Sequence, residues 1–233
     1  MHSCIDWPKR YKDRPFADYV LNCFGDSTTW GDNGVDGGSM QTSWPSFLEK
    51  NGLFKTVRNY GVCGSRVALT DDRDDSFFER YRAMKDDDVD VITLMGGVND
   101  FQHDVPLGIL GVRDERTFYG AFDIVLSGII EQAPEASVVV FTPTANMFHN
   151  PAKNYPTSLQ PNARGLHQKD YVEAVKKVSE HYAVPVVDLY ASSGMCPFVE
   201  QQQVKNMPDG LHYSVEGYAR LARRIYEELL HLA

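Results

Sequence analysis

The chain has 233 residues, is 42% hydrophobic and 24% charged, and carries 12 Tyr, 12 Phe and 3 Trp. That is an ordinary globular composition, long enough to bury a continuous core without disulfides or a structural metal. A formal net charge of −9 at pH 7 repels phosphate backbones, so no nucleic-acid partner is expected.

The N-terminal stretch MHSCIDWPKRYKDRPFADYV is charged and aromatic, with no apolar run of signal-peptide length. No later segment approaches the roughly 20 apolar residues of a membrane span. Cys4, Cys23, Cys63 and Cys196 fall at wide spacings without a CxxC, which argues against a zinc or redox motif. Cys23 reads as a small buried hydrophobe. A soluble, cytoplasmic protein is expected.

Residues 19–24 (YVLNCF) predict a first strand that runs straight into Gly-Asp-Ser. Residues 31–43, rich in Gly and polar side chains, predict a loop, and 44–50 a short helix. A second strand over 57–60 ends at Gly61, and 77–84 predict another short helix. Residues 89–95 (VDVITLM) predict a third strand ending at Gly96-Gly97. Phe118, Phe122, Val125, Ile129 and Ile130 recur at helical spacing until Pro134 stops the segment. Residues 137–142 (SVVVFT) predict the fourth strand, and 145–162, rich in proline and asparagine, a second long loop. Leu166, Tyr171, Ala174, Val175, Val178 and Tyr182 mark a helix, and 184–189 (VPVVDL) a fifth strand. Tyr218, Leu221, Ala222, Ile225 and Leu229 mark the last helix, with Ser214 as its N-cap.

Runs apolar at nearly every position suit strands buried on both faces. Their alternation with helices predicts a three-layer α/β/α sandwich. One domain is expected over residues 1–233, its core spanning about 18–232. Both loops follow strand ends, the edge where open α/β sheets place their binding crevice.

Four short motifs carry chemistry. Gly25-Asp26-Ser27 sets a hydroxyl on a tight turn after a buried strand, although Ser-Thr-Thr equally suits a helix cap. Asp209-Gly210-Leu211-His212 lets one turn bring a carboxylate to imidazole Nδ1, leaving Nε2 to take a proton; a turn-capping Asp beside a surface His has the same spacing. Gly96-Gly97-Val98-Asn99-Asp100 offers an Asn amide to a developing oxyanion, or simply ends a strand. Asn59-Tyr60-Gly61-Val62-Cys63-Gly64 offers the Gly64 N–H, or a plain turn.

Occurring in this order, three of them at predicted strand ends, the motifs resemble the SGNH (GDSL) hydrolase family, whose four blocks contribute Ser, Gly, Asn and His. The first block would be Gly25-Asp26-Ser27-Thr28-Thr29-Trp30-Gly31, the second Gly64, the third Gly97-Val98-Asn99-Asp100 and the last Asp209-Gly210-Leu211-His212. The resemblance implies a flavodoxin-like parallel sheet of about five strands in the order 2-1-3-4-5. It also implies a catalytic set of Ser27, His212 and Asp209, with an oxyanion hole of the Ser27 N–H, the Gly64 N–H and the Asn99 side chain. Asp26 is then expected to stabilise the nucleophile turn.

No long apolar helix offers itself as a lid, and the loops are polar with scattered aromatics (Trp30, Trp44, Phe101, Phe148, Tyr155). Such walls suit a carbohydrate O-acetyl ester or another small short-acyl ester. Trp30, Arg66, Phe101 and Phe148 are the expected substrate contacts. A lysophospholipase or acyl-thioesterase is the nearest alternative, and a non-catalytic carbohydrate-binding module the more distant one.

Neither a metal nor a cofactor is expected. His2, His103, His149, His167, His181 and His231 form no HExxH or HxH pair. The acidic runs 71–75 and 86–88 lack the glycine of a calcium loop, and Gly34-Val35-Asp36-Gly37-Gly38 lacks the Gly-Lys-Ser/Thr of a phosphate loop.

Overall fold

A computed structural model of the chain describes residues 15–84 and 87–232. His2, Cys4, the charged N-terminal stretch up to residue 14 and Asp86 of the second acidic run lie outside the described residues. The elements are β1 (Val20–Gly25), α1 (Ser27–Trp30), α2 (Trp44–Lys50), β2 (Thr56–Gly61), α3 (Phe77–Arg80), β3 (Val91–Met95), α4 (Val98–Gln102), α5 (Phe118–Gln132), β4 (Ser137–Phe141), α6 (Gln168–His181), β5 (Val186–Val187), α7 (Leu189–Ser192), α8 (Glu200–Asn206) and α9 (Val215–Leu232).

The five strands pair in parallel in the order β2-β1-β3-β4-β5, the expected topology. Successive strand side chains point to opposite faces, and the core divides accordingly. Phe24, Ile92, Leu94, Val138 and Val140 pack with Phe118, Phe122 and Val125 of α5 and Tyr171 and Val175 of α6. Leu21, Cys23, Val91, Val139 and Phe141 pack with Trp44 and Leu48 of α2 and Tyr218, Leu221, Ile225 and Leu229 of α9. The result is the three-layer sandwich.

Caps fix where several helices begin. Thr117 Oγ1 accepts the Gly120 N–H at 3.4 Å and starts α5, and Ser214 Oγ accepts the Gly217 N–H at 3.0 Å and starts α9, as its spacing predicted. Such caps contribute about 1 kcal/mol each.

Two predicted elements differ. The 77–84 helix stops after Arg80 and continues as a 3-10 turn over Tyr81–Ala83. The fifth strand keeps only Val186–Val187, because the Asp188 side chain accepts the Ala191 N–H at 3.0 Å and turns Leu189 into α7.

Candidate active site

The site forms where β1, β2 and β3 end. Gly25 closes β1 in space with no room for a Cβ, which would stand 2.1 Å from Thr29 Oγ1. Asp26 Oδ1 then accepts the Thr28 N–H at 2.9 Å and the Thr28 hydroxyl at 2.7 Å. That capping places Ser27 at the first turn of α1, with only 4% of its surface exposed. Gly31 ends α1 at φ +114°, a conformation that favours glycine.

The turn before α9 supplies the partners. Asp209 Oδ1 accepts the backbone N–H of Leu211 at 2.9 Å and of His212 at 2.7 Å, while Oδ2 accepts from His212 Nδ1 at 2.6 Å. With Nδ1 donating, Nε2 is the acceptor, and it stands 2.9 Å from Ser27 Oγ. The 145–162 loop clamps this turn: the Met147 N–H donates to Gly210 O at 2.8 Å and the His149 N–H to Asp209 O at 2.9 Å. Gly210 has φ +83°, and a Cβ there would lie 2.2 Å from Met147 O, so glycine is required.

Electrostatics sharpen the pair. Burial works to raise the Asp209 carboxyl, but its bond to His212 and two backbone N–H groups hold it below the ordinary carboxylate range. Burial works to lower His212, yet its bond to Asp209 and the charges of Asp209, Asp32 and Asp26 hold it above the ordinary imidazole value. Asp32 Oδ2 lies 3.8 Å from His212 Nε2, a neighbour absent from the sequence reading.

Asn99 is tied to the residue after Gly64 by one hydrogen bond. Asn99 is buried, and its Nδ2 donates one N–H to Ser65 O at 3.1 Å. Asp100, beside it, accepts the backbone N–H groups of Val67 at 2.8 Å and Ala68 at 3.0 Å, lashing α4 to the segment after Gly64. Burial pushes the Asp100 carboxyl up to about 6 against those two bonds. Among the described residues, neither the Ser27 nor the Gly64 N–H donates to another group.

Arg80 braces the same corner. Its Nη1 donates to Tyr60 O at 2.9 Å, its Nη2 to Gly25 O at 3.1 Å and Ser65 Oγ at 2.9 Å, and its Nε to Asp75 O at 2.7 Å. The guanidinium also lies 4.7 Å from the Phe24 ring centroid and is lowered to about 10 by burial. A charge on the aromatic stretch Phe77-Phe78-Glu79-Arg80-Tyr81 was the available sequence signal.

Of the expected substrate contacts, Phe148 stands edge-on to the His212 ring at 6.0 Å, and Trp30 is half-buried at the end of α1. Phe101 is a correction: α4 turns it inward, fully buried and edge-on to Tyr171 at 5.9 Å, so it belongs to the core. Trp44 is likewise a fully buried core residue. Arg66 reaches a neighbouring cavity only as half of an ion pair. It is 5% exposed and held by both oxygens of Asp72 and by Thr70 Oγ1 at 2.7 Å, so its charge is largely neutralised by Asp72.

A cavity of about 1060 Å³ with a mixed lining, Arg66, Gln102, His103 and Arg164 beside Leu69 and Val105 among others, opens beside this corner. His103 Nδ1 donates to Asn99 O at 2.9 Å, so the cavity wall is one hydrogen bond from Asn99. Among the described residues no helix is long and apolar enough to cross a membrane, and no group of three or more His, Cys, Asp or Glu could hold a metal ion.

A sequence model of the GDSL-like lipase/acylhydrolase family matches residues 23–220. The chain belongs to this family. As a GDSL-like acylhydrolase it is an ester-hydrolysing serine hydrolase. Its fold recurs in solved structures. One crystal structure is 45% identical with a TM-score of 0.90, covering 94% of this chain and 100% of the other. A protein from Lactobacillus plantarum is 27% identical with a TM-score of 0.77, covering 92% and 97%. A possible lipase from Chitinophaga pinensis, 23% identical with a TM-score of 0.68, covers 93% and 100% and shares the fold. No curated protein matches the chain.

Proposed function

We propose that this GDSL-like hydrolase is a short-acyl esterase in which Ser27 is the nucleophile, His212 its base and Asp209 the group that orients His212. The observation that carries this reading is the continuous relay from Asp209 Oδ2 to His212 Nδ1 at 2.6 Å and from Nε2 to Ser27 Oγ at 2.9 Å. His212 takes the Ser27 proton as Oγ attacks the ester carbonyl. The N–H groups of Ser27 and Gly64 and the second N–H of Asn99 Nδ2 receive the oxyanion, and His212 returns the proton to the departing alcohol.

The substrate is a small polar ester, best matched by an O-acetylated carbohydrate. The neighbouring cavity supports this, since its wall sets amide, imidazole, hydroxyl and paired charged groups among Leu69, Val105 and several prolines rather than forming an apolar channel. One observation favours the lysophospholipase or thioesterase alternative: Ile109, Leu110 and Val112 stand exposed on the loop leading to α5. Comparing acetyl with octanoyl p-nitrophenyl esters separates the two.

Ser27→Ala tests the nucleophile. Loss of roughly 10⁴ or more in kcat on p-nitrophenyl acetate is expected, with loss of fluorophosphonate labelling. A Ser27→Ala protein that keeps most of its turnover would sink the mechanism.

A further inference from the structure

Asp32 stands at the proposed reaction centre without a task in the relay, and the fold holds it there firmly. Its N–H donates to Ser27 O at 3.1 Å, its C=O accepts from the Tyr218 hydroxyl at 2.7 Å, and its Oδ1 accepts the Gly34 N–H at 2.9 Å. What remains is Oδ2, 3.8 Å from His212 Nε2 on a side chain that is 24% exposed and so reachable by water.

That distance is too long for a hydrogen bond between the two groups. It also joins Asp32 to the nitrogen opposite the one Asp209 orients, so Asp32 does not duplicate Asp209. The separation does suit one water that donates to both atoms, because two bonds of about 2.8 Å span it at roughly a right angle. In the resting enzyme Nε2 is engaged by the Ser27 hydroxyl at 2.9 Å. Once Ser27 carries an acyl group, Oγ has no proton to donate, and the Nε2 lone pair is open to water.

We propose that Asp32 is the water-positioning residue of deacylation; this rests on the reading of Ser27 as the acyl carrier. The water gives one hydrogen bond to His212 Nε2 and the other to Asp32 Oδ2, which leaves its oxygen lone pair directed at the acyl carbonyl on Ser27. Attack forms the carbon–oxygen bond as the first proton passes to Nε2. Collapse of the tetrahedral intermediate breaks the bond to Ser27 Oγ, and Nε2 returns that proton to Oγ. Asp32 holds the second hydrogen of the water throughout and undergoes no net proton change.

Asp32→Asn tests this directly. The asparagine Oδ1 can keep the Gly34 N–H, while its amide N–H₂ presents a donor where the water needs an acceptor. The backbone bonds to Ser27 and Tyr218 are untouched, so the corner stays folded. Stopped-flow hydrolysis of p-nitrophenyl acetate separates acylation, which releases nitrophenolate, from deacylation, which releases acetate.

The expected result is a nitrophenolate burst, a fall of roughly tenfold or more in the deacylation rate and in kcat, and a parallel fall in KM. Acylation, which kcat/KM then reports, loses only the through-space charge of Asp32 on His212, so kcat/KM falls by clearly less than kcat does. Acetyl-Ser27 accumulates in acid-quenched intact-mass spectra, and Asp32→Ala behaves in the same direction. A loss in kcat/KM equal to the loss in kcat, without an acetyl adduct, overturns the proposal, as does an unchanged kcat. Failure of the underlying reading looks different: the wild type itself would show no acetyl on Ser27, and Ser27→Ala would stay active.

Discussion

Two histidines near the sheet edge make nearly the same hydrogen bonds with opposite consequences. His212 receives the Ser27 hydroxyl at Nε2 at 2.9 Å and donates from Nδ1 to Asp209 at 2.6 Å. His103 faces the Tyr155 hydroxyl at Nε2 at 3.0 Å and donates from Nδ1 to Asn99 O at 2.9 Å. The difference is the oxygen behind the ring. A carboxylate and two further acidic charges hold His212 above the ordinary imidazole value, whereas burial, unrelieved by any carboxylate bond, pushes His103 below it. Hydrogen-bond geometry alone therefore does not make a base; a charge placed to stabilise the imidazolium does.

The strongest way to break this contrast is to turn the His212 pair into a neutral one. Asp209→Asn leaves one oxygen to serve the Leu211 and His212 amides and the His212 Nδ1–H together, so the ring loses its fixed tautomer. A loss of about 10⁴ in kcat is expected. The pH profile carries the sign. As the proposed base, His212 acts only when neutral, and its value is raised, so wild-type kcat/KM is expected to fall with acidification at a midpoint above the usual 6.5 or so. Whatever activity Asp209→Asn retains should lose its acid limb at lower pH. Burial that opposes the charged ring would then act without its largest counterweight. A variant with an unmoved limb would show that Asp209 does not set the basicity of His212.

The contrast also marks what could be read from the chain. The sheet and the long helices were legible because their apolar periods of 2 and 3.6 span many residues. Ser27, Gly64, Asn99, Asp209 and His212 were legible as candidates because each sits in a short turn whose geometry is set by its own neighbours. Phe101 was misread because α4 is only five residues long, too short to show a period, and an aromatic after Gly-Gly-Val-Asn-Asp looked like a loop residue. Arg66 read equally as a substrate contact or as half of an ion pair, because its partner Asp72 lies in an acidic run that reads as solvated surface. Asp32 was invisible for a different reason. Its placement depends on Tyr218 of α9, 186 residues away in sequence, and no local pattern encodes that bond.

Removing the proposed oxyanion donor of α4 should have the next largest effect. Asn99→Ala is expected to lower kcat by roughly 10²–10³ with little change in KM. The Asp100 lashing does not depend on the Asn99 side chain, but Ser65 O loses its buried donor, so the free energy of unfolding should fall by about 1–2 kcal/mol. Arg80→Met probes the brace. Gly25 O, Tyr60 O, Asp75 O and Ser65 Oγ all lose a charged donor at once. A loss of about 3 kcal/mol in urea unfolding is expected. A drop below about 1 kcal/mol would show that water replaces the guanidinium and that the corner holds itself.

The smallest effect belongs to His103, and it decides whether the two pairs differ in role. His103→Phe removes both ring bonds, but Asn99 O keeps the backbone N–H of residue 103 at 3.0 Å, so that carbonyl is not orphaned. Tyr155 loses its acceptor yet can turn its hydroxyl to water, and its stacking on Phe148 at 6.0 Å remains. Asn99 should therefore hold its place. Turnover of p-nitrophenyl acetate should change by less than about tenfold, with the acid limb of the pH profile at its wild-type midpoint, since the charges that raise His212 belong to Asp209, Asp32 and Asp26. A loss approaching that of Asp209→Asn, or a shifted limb, would mean that the neutral imidazole feeds the reaction through Asn99, and the division between a charged and an uncharged histidine pair would no longer separate chemistry from support.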